Sequence, residues 1–136
     1  MIYVFDACAL IAYLNDERGS EVIYDMLKKA TNNEVEIHIN IINLLEVHYA
    51  NIRELGREQA VEILRKVLSA KIHVVAVISD NIFSEAARLK ATYKIALADC
   101  IGLSTAIELS GKFVTSDHLE LDQITNSEPD FIHWFR

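Results

Sequence analysis

The spacing of hydrophobic residues along this chain switches repeatedly between strand-like and helical, and that alternation constrains its fold more than any other feature. Ile2 to Phe5 are rich in β-branched and aromatic side chains, too short a run for a helix, and read as a buried strand. A short helix follows from around Ala9. Val22, Ile23, Met26, Leu27 and Ala30 recur at helical spacing behind Ser20, a candidate cap. Val35, Ile37 and Ile39 alternate with Glu36 and His38, the pattern of a strand with one wetter face. The helical period returns from Ile42 to around Leu55, with Gly56 as its stop, and again through Ala60, Val61, Leu64, Val67 and Leu68. Ile72 to Val77 reads as a strand, and Asp80 as the cap of a helix holding Ile82, Phe83, Ala86 and Leu89. Asp99 precedes a further helix that Gly111 can terminate. Lys112 to Thr115 and Phe131 to Phe135 complete the strands.

Strands alternating with helices predict α/β architecture around a mostly parallel sheet, with right-handed crossovers. One proline, four glycines and no linker or repeat predict a single domain over residues 1–136. With 51% hydrophobic and 24% charged residues the chain has the make-up of an ordinary globular protein and not of a disordered one. No apolar run approaches the roughly 18 residues of a membrane span, and the apolar start lacks a basic leader, so a cytoplasmic location with no membrane partner is expected. Cys8 and Cys100 lack CxxC spacing and read as reduced, buried thiols. The net charge of −7 argues against a general electrostatic grip on nucleic acid and favours a basic partner. It leaves room for a nuclease, because metal ions supply local positive charge at a carboxylate cluster. Arg88, Lys90 and Lys94 are the densest basic stretch, with Lys90 and Lys94 spaced to share a solvated helix face.

In parallel sheets ligands bind beyond the carboxyl ends of the strands, near a switch in strand order. Asp6 ends the first strand and Asp117 follows the fourth, in KFVTSD. Asp99 opens a helix, whose positive end favours an anion. Glu46 lies between Leu45 and Val47 with Asn43 one turn before it, an odd neighbourhood for a surface glutamate. Each acid has a plain alternative: Asp6 and Asp99 as helix caps, Asp117 as a turn former, Glu46 as a solvated side chain. Capping explains them singly. A shared metal pocket explains them together.

The stretches DACALIAYL, NLLEV, LADCIGLSTA and FVTSD, in this order, resemble the acidic motifs of PIN domains, and most nearly those of single-domain VapC-type toxin ribonucleases. The resemblance spans nearly the whole chain. It implies a three-layer α/β/α fold, metal-site and catalytic acids at Asp6, Glu46, Asp99 and Asp117, and a supporting hydroxyl at Thr115. It also implies an antitoxin partner, a homodimer and an RNA substrate, with transfer RNA a family-level expectation. Two departures stand out: Cys8 where relatives carry Ser, Thr or Asn, and Cys100 where the third motif often has Ala. A thiol is a poor hydrogen-bonding group, so weaker support for Asp6 is expected. A Cys8–Cys100 bridge requires the two motifs to converge.

Oxygen-only ligands select hard ions, Mg²⁺ or Mn²⁺, over zinc. Asp6, Asp99 and Asp117 are the expected main ligands, with Glu46 orienting water or holding a second ion. Asp122 is a supplementary candidate. His118 reads as an exposed turn residue, and His38, His48, His73 and His133 as structural. The predicted reaction is hydrolysis of RNA phosphodiesters, in single-stranded loops because a small open site cannot read a deep helical groove. An Mg²⁺-dependent phosphatase would want an Asp where Cys8 stands, and a phosphoacceptor receiver would want paired acids at the end of the first strand. The remaining alternative is a catalytically impaired PIN-like module that acts by binding protein or RNA.

Overall fold

The computed structural model describes residues 1–136, the side chain of Pro129 excepted. Five strands form one sheet: β1 (Ile2–Phe5), β2 (Glu36–Asn40), β3 (His73–Val75), β4 (Lys112–Thr115) and β5 (Ile132–Trp134). Every pairing is parallel, in the order β3-β2-β1-β4-β5. Parallel neighbours need crossovers, and the helices supply them: α1 (Ala7–Leu14), α2 (Ser20–Thr31), α3 (Ile41–Leu55), α4 (Arg57–Ser69), α5 (Asp80–Thr92), α6 (Leu97–Glu108) and α7 (His118–Leu121).

The period-two rule divides the core between the two faces of the sheet. Phe5, Ile37, Ile39 and Val114 pack with Leu10 of α1, Ile23 and Met26 of α2, Leu44 and Val47 of α3, and Val67 of α4. Their strand neighbours Val4 and Phe113 point the other way, against Leu89 of α5, Leu103 and Ala106 of α6, and Leu121 of α7. Three layers, α/β/α, result. α2 illustrates the local logic: Ile23, Met26 and Ala30 bury one stripe, while Glu21 in the first turn and Lys28 and Lys29 in the last complement the helix dipole.

Helix α6 is drawn unusually close to its neighbours. A Cβ on Gly102 would lie 2.5 Å from the Phe113 ring and 2.8 Å from the Asn43 carboxamide oxygen, so only glycine permits this approach.

Several boundaries differ from the expectations above. Helix α1 begins directly after Asp6, whose side chain caps it. Gly19, in the left-handed region at φ 88°, caps α2, while Ser20 is helical and donates to Asp16. Ser79 rather than Asp80 caps α5. Asp99 sits inside the first turn of α6, two residues past its start. The left-handed residue that closes α6 is Ser110, at φ 52°; Gly111 is needed instead because a Cβ there would sit 2.8 Å from the Ile2 carbonyl oxygen. β3 is shorter than the Ile72–Val77 run, and α5 ends at Thr92, so Lys90 and Lys94 share no helix face. Lys90 donates to the Ile95 carbonyl instead. No helix among the described residues is long and apolar enough to cross a membrane.

Candidate metal centre

The chain builds outward from β1 to β2 and β3, then returns to lay β4 on the other side of β1. The switch in strand order therefore lies between β1 and β4, where a crevice opens beyond their carboxyl ends. Asp6 leaves β1 at this point, and its main-chain N–H donates to the Val114 carbonyl of β4. Thr115 ends β4, and Asp117 stands two residues on.

Asp6 is almost wholly buried, at 3% exposure. Its Oδ1 accepts from the Ala9 N–H at 2.7 Å, the helix cap, and its Oδ2 accepts from the Cys8 thiol at 2.9 Å. Burial pushes its pKa up to about 6; the Cys8, Thr115 and Ala9 donors oppose that shift, and the Glu46 charge adds to it. Cys8 is thus one of the donors that hold Asp6. Burial first, then the Asp6 charge, pushes the thiol up to about 12, so it stays protonated and remains a donor. Its sulfur also lies 3.2 Å from Ser116 Oγ, so it links the end of β4 to α1. Thr115, fully buried, accepts from the Asp117 N–H at 3.1 Å and sets the direction in which the chain leaves β4.

Asp99 is the acid on which the charges of the others act together. Burial is the main cause that pushes its carboxyl up to about 8, and the charges of Asp6, Asp117, Glu120 and Glu46 follow in that order. The four acids expected from the sequence therefore do converge, with Asp99 in the field of the other three. The tightest group differs from the expected one. Carboxylate oxygens of Asp99, Asp117 and Glu120 all lie within 4.8 Å of one another. Glu120 went unnoticed in the sequence, where an acid three residues after Asp117 on a short helix looks like any solvated glutamate. Its N–H donates to Asp117 Oδ1 at 3.2 Å, and its own carboxylate accepts from the Ala96 N–H at the start of α6. Glu120 therefore ties α7 to the helix that carries Asp99.

Glu46 flanks this triad from α3, half-buried, with its pKa raised by burial against the opposing hydrogen bond from Asn43. Asn43, completely buried, donates to Glu46 at 3.4 Å and to the Ala98 carbonyl at 3.2 Å, joining α3 to the first turn of α6. Its carboxamide oxygen has no partner. Asp122 points elsewhere, 2.9 Å from His118 Nδ1. Cys100 belongs to the core on the α6 side of the sheet, whereas Cys8 packs against the opposite core, and both thiols are free.

Among the described residues no ion pair involves Asp6, Glu46, Asp99, Asp117 or Glu120. Five carboxyl groups thus share one crevice without a protein cation to balance them, so the most central is forced toward its neutral form. The donors are all oxygens. A hard divalent cation fits this set and removes the imbalance.

The sequence model of the PIN domain matches residues 3–124. No curated protein sequence matches the chain. Among solved structures, the chain is similar to VapBC2 from Rickettsia felis bound to a promoter DNA fragment, at TM-score 0.74 and 20% identity, covering 98% of each chain. It is also similar to DNA-bound VapBC from Salmonella typhimurium, at TM-score 0.71 and 14% identity, covering 100% of this chain and 99% of that one. A toxin–antitoxin complex from Klebsiella pneumoniae matches at TM-score 0.67 and 19% identity over 98% of each chain. At such identities the likeness is one of fold.

Proposed function

Because the chain belongs to the PIN domain family, we propose that it is a divalent-metal-dependent endoribonuclease and the toxin of a toxin–antitoxin pair. The observation that carries this reading is the uncompensated carboxylate crevice at the sheet's switch point, in which Asp99 is pushed up to about 8. Asp6, Asp99, Asp117 and Glu120 would hold Mg²⁺ or Mn²⁺, with Glu46 beside them. When bound, such a cation keeps the carboxylates ionised and neutralises charge that develops on the scissile phosphate. The chain's own residues prepare for it. Cys8 and the Ala9 N–H fix both oxygens of Asp6, Thr115 orients the main chain at Asp117, and Asn43 holds Glu46. Glu46, with a carboxyl raised by burial, suits the acceptance of a proton from the attacking water.

One solved structure of similar fold is described as a toxin–antitoxin complex, which supports a protein partner here. So does a cavity of about 650 Å³ with apolar walls from Leu10, Leu14 and Leu27 and lysines at Lys28, Lys66 and Lys71. Exposed Leu45 and Tyr49 on α3 and Phe83 on α5 support a homodimer. A cytoplasmic RNA, with transfer RNA among the candidates, is the substrate of this reading.

Sequencing of cellular RNA ends after brief expression of wild type and of Asp6→Asn tests it. Discrete cuts confined to wild type are expected, and the purified protein should lose cleavage in excess chelator. Soluble, antitoxin-free wild type that makes no cuts would instead favour a binding module.

A further inference from the structure

We propose that the stacked His118–Trp134 pair is a docking plate for one nucleobase of the RNA strand, set on the rim of the carboxylate crevice. This rests on the nuclease reading above and adds to it the place where a base sits. The two rings lie 3.9 Å apart and 14° from parallel. His118 Nδ1 is 2.9 Å from Asp122 Oδ1, and Nε2 is 3.0 Å from the main-chain oxygen of Arg136. Both nitrogens are thus engaged by oxygen atoms, and Trp134 covers one face. The side chain is nevertheless 49% exposed. What remains open is the outer face and the carbon edges. A ring engaged at both nitrogens and stacked on Trp134 is held in one orientation. It presents a flat surface of set orientation.

Position gives that surface its meaning. His118 follows Asp117 directly, so the plate and the acid triad share one edge of the sheet. Unpaired bases of single-stranded RNA stack on aromatic side chains, histidine included. A net charge of −7 gives RNA no overall electrostatic attraction to the chain, and stacking supplies affinity that does not depend on it. A base on the outer face of His118 would extend the stack begun by Trp134, one residue along the chain from Asp117.

Trp134 is the only tryptophan in the chain, so its emission reports on the plate alone. The wild-type protein is titrated, in Ca²⁺ to keep the strand intact, with an unstructured RNA of about ten nucleotides and with an abasic strand of the same backbone. Fluorescence anisotropy of end-labelled copies measures binding separately from tryptophan emission. The RNA should change Trp134 emission saturably, and the abasic strand should not. His118→Ala should weaken RNA binding about ten-fold, and His118→Phe, which keeps a flat face, should restore most of it. RNA that binds with unaltered emission and equal affinity to wild type and His118→Ala overturns the plate and leaves the nuclease reading standing. Failure of any RNA to bind wild type overturns both.

Discussion

Two groups of acids in this protein meet opposite electrostatic fates. On the surface of α5, Arg88 lies 2.8 Å from Glu85 and 2.7 Å from Glu128. Hydrogen bonding to the guanidinium holds Glu85 below its usual carboxylate range and raises Arg88 in turn. At the carboxyl rim of the sheet no protein cation answers Asp6, Glu46, Asp99, Asp117 and Glu120, and Asp99 is pushed up to about 8. The first group is complete within the chain. In the second, burial first and then the neighbouring charges raise Asp99, and no guanidinium or ammonium pairs with these acids among the described residues. Folding alone would favour the first arrangement, so the second is the mark of a site.

The largest test of this contrast is activity. Asp99→Asn should lower RNA cleavage by at least about 100-fold, whereas Glu85→Gln, which removes the same charge, should leave the rate unchanged in the same gel assay. Equal losses would erase the distinction between the two groups.

A smaller effect lies in thermal stability. A cation that binds only the folded protein adds about 2.7 kcal/mol at a hundred times its dissociation constant, or several degrees in melting temperature. Millimolar Mn²⁺ or Mg²⁺ should raise the melting temperature of wild type and Glu85→Gln by this order and leave Asp99→Asn unmoved.

A further test is the pH dependence without metal. Asp6 is pushed up to about 6 and Asp99 to about 8 in the folded protein, from an ordinary value of 3.8. Over that window the folded state binds more protons than the unfolded chain, so stability falls as pH rises. Their contribution is fully present below pH 3.8 and lost as pH passes through about 6 and then about 8. Glu85, shifted downward, works in the opposite direction and only at acid pH. Thermal melts in chelator between pH 5 and pH 9 should show the decline, and Asp99→Asn should flatten its upper part. An identical slope in wild type and Asp99→Asn would place the source of the decline elsewhere.

Much of this was legible in the residues. Asp6 and Asp117 stood out because a carboxylate directly after an apolar strand needs a reason, and Glu46 because its neighbours Leu45 and Val47 are apolar. Glu120 and Asp122 were not separable in HLELD. The acid that enters the crevice and the acid that pairs with His118 differ only in their angle around a one-turn helix, and no apolar stripe in so short an element sets that angle. Helix starts misled for a related reason. Ser20 and Asp80 have the chemistry of caps, but the turns before them place Gly19 and Ser79 in the capping positions. Cys8 was expected to support Asp6 less well than a hydroxyl or amide would; the fold sets its thiol 2.9 Å from Asp6 Oδ2 and keeps it protonated.

The sequence by itself determined the layered α/β plan, because alternating two-residue and 3.6-residue periods leave the chain few ways to bury its apolar faces, while the resemblance to the family was carried by four acidic motifs in order. Which acids meet was decided by tertiary structure alone. Coulomb repulsion acts through space, and only the order β3-β2-β1-β4-β5, with α6 pressed close at Gly102, brings side chains from both ends of the chain into one crevice.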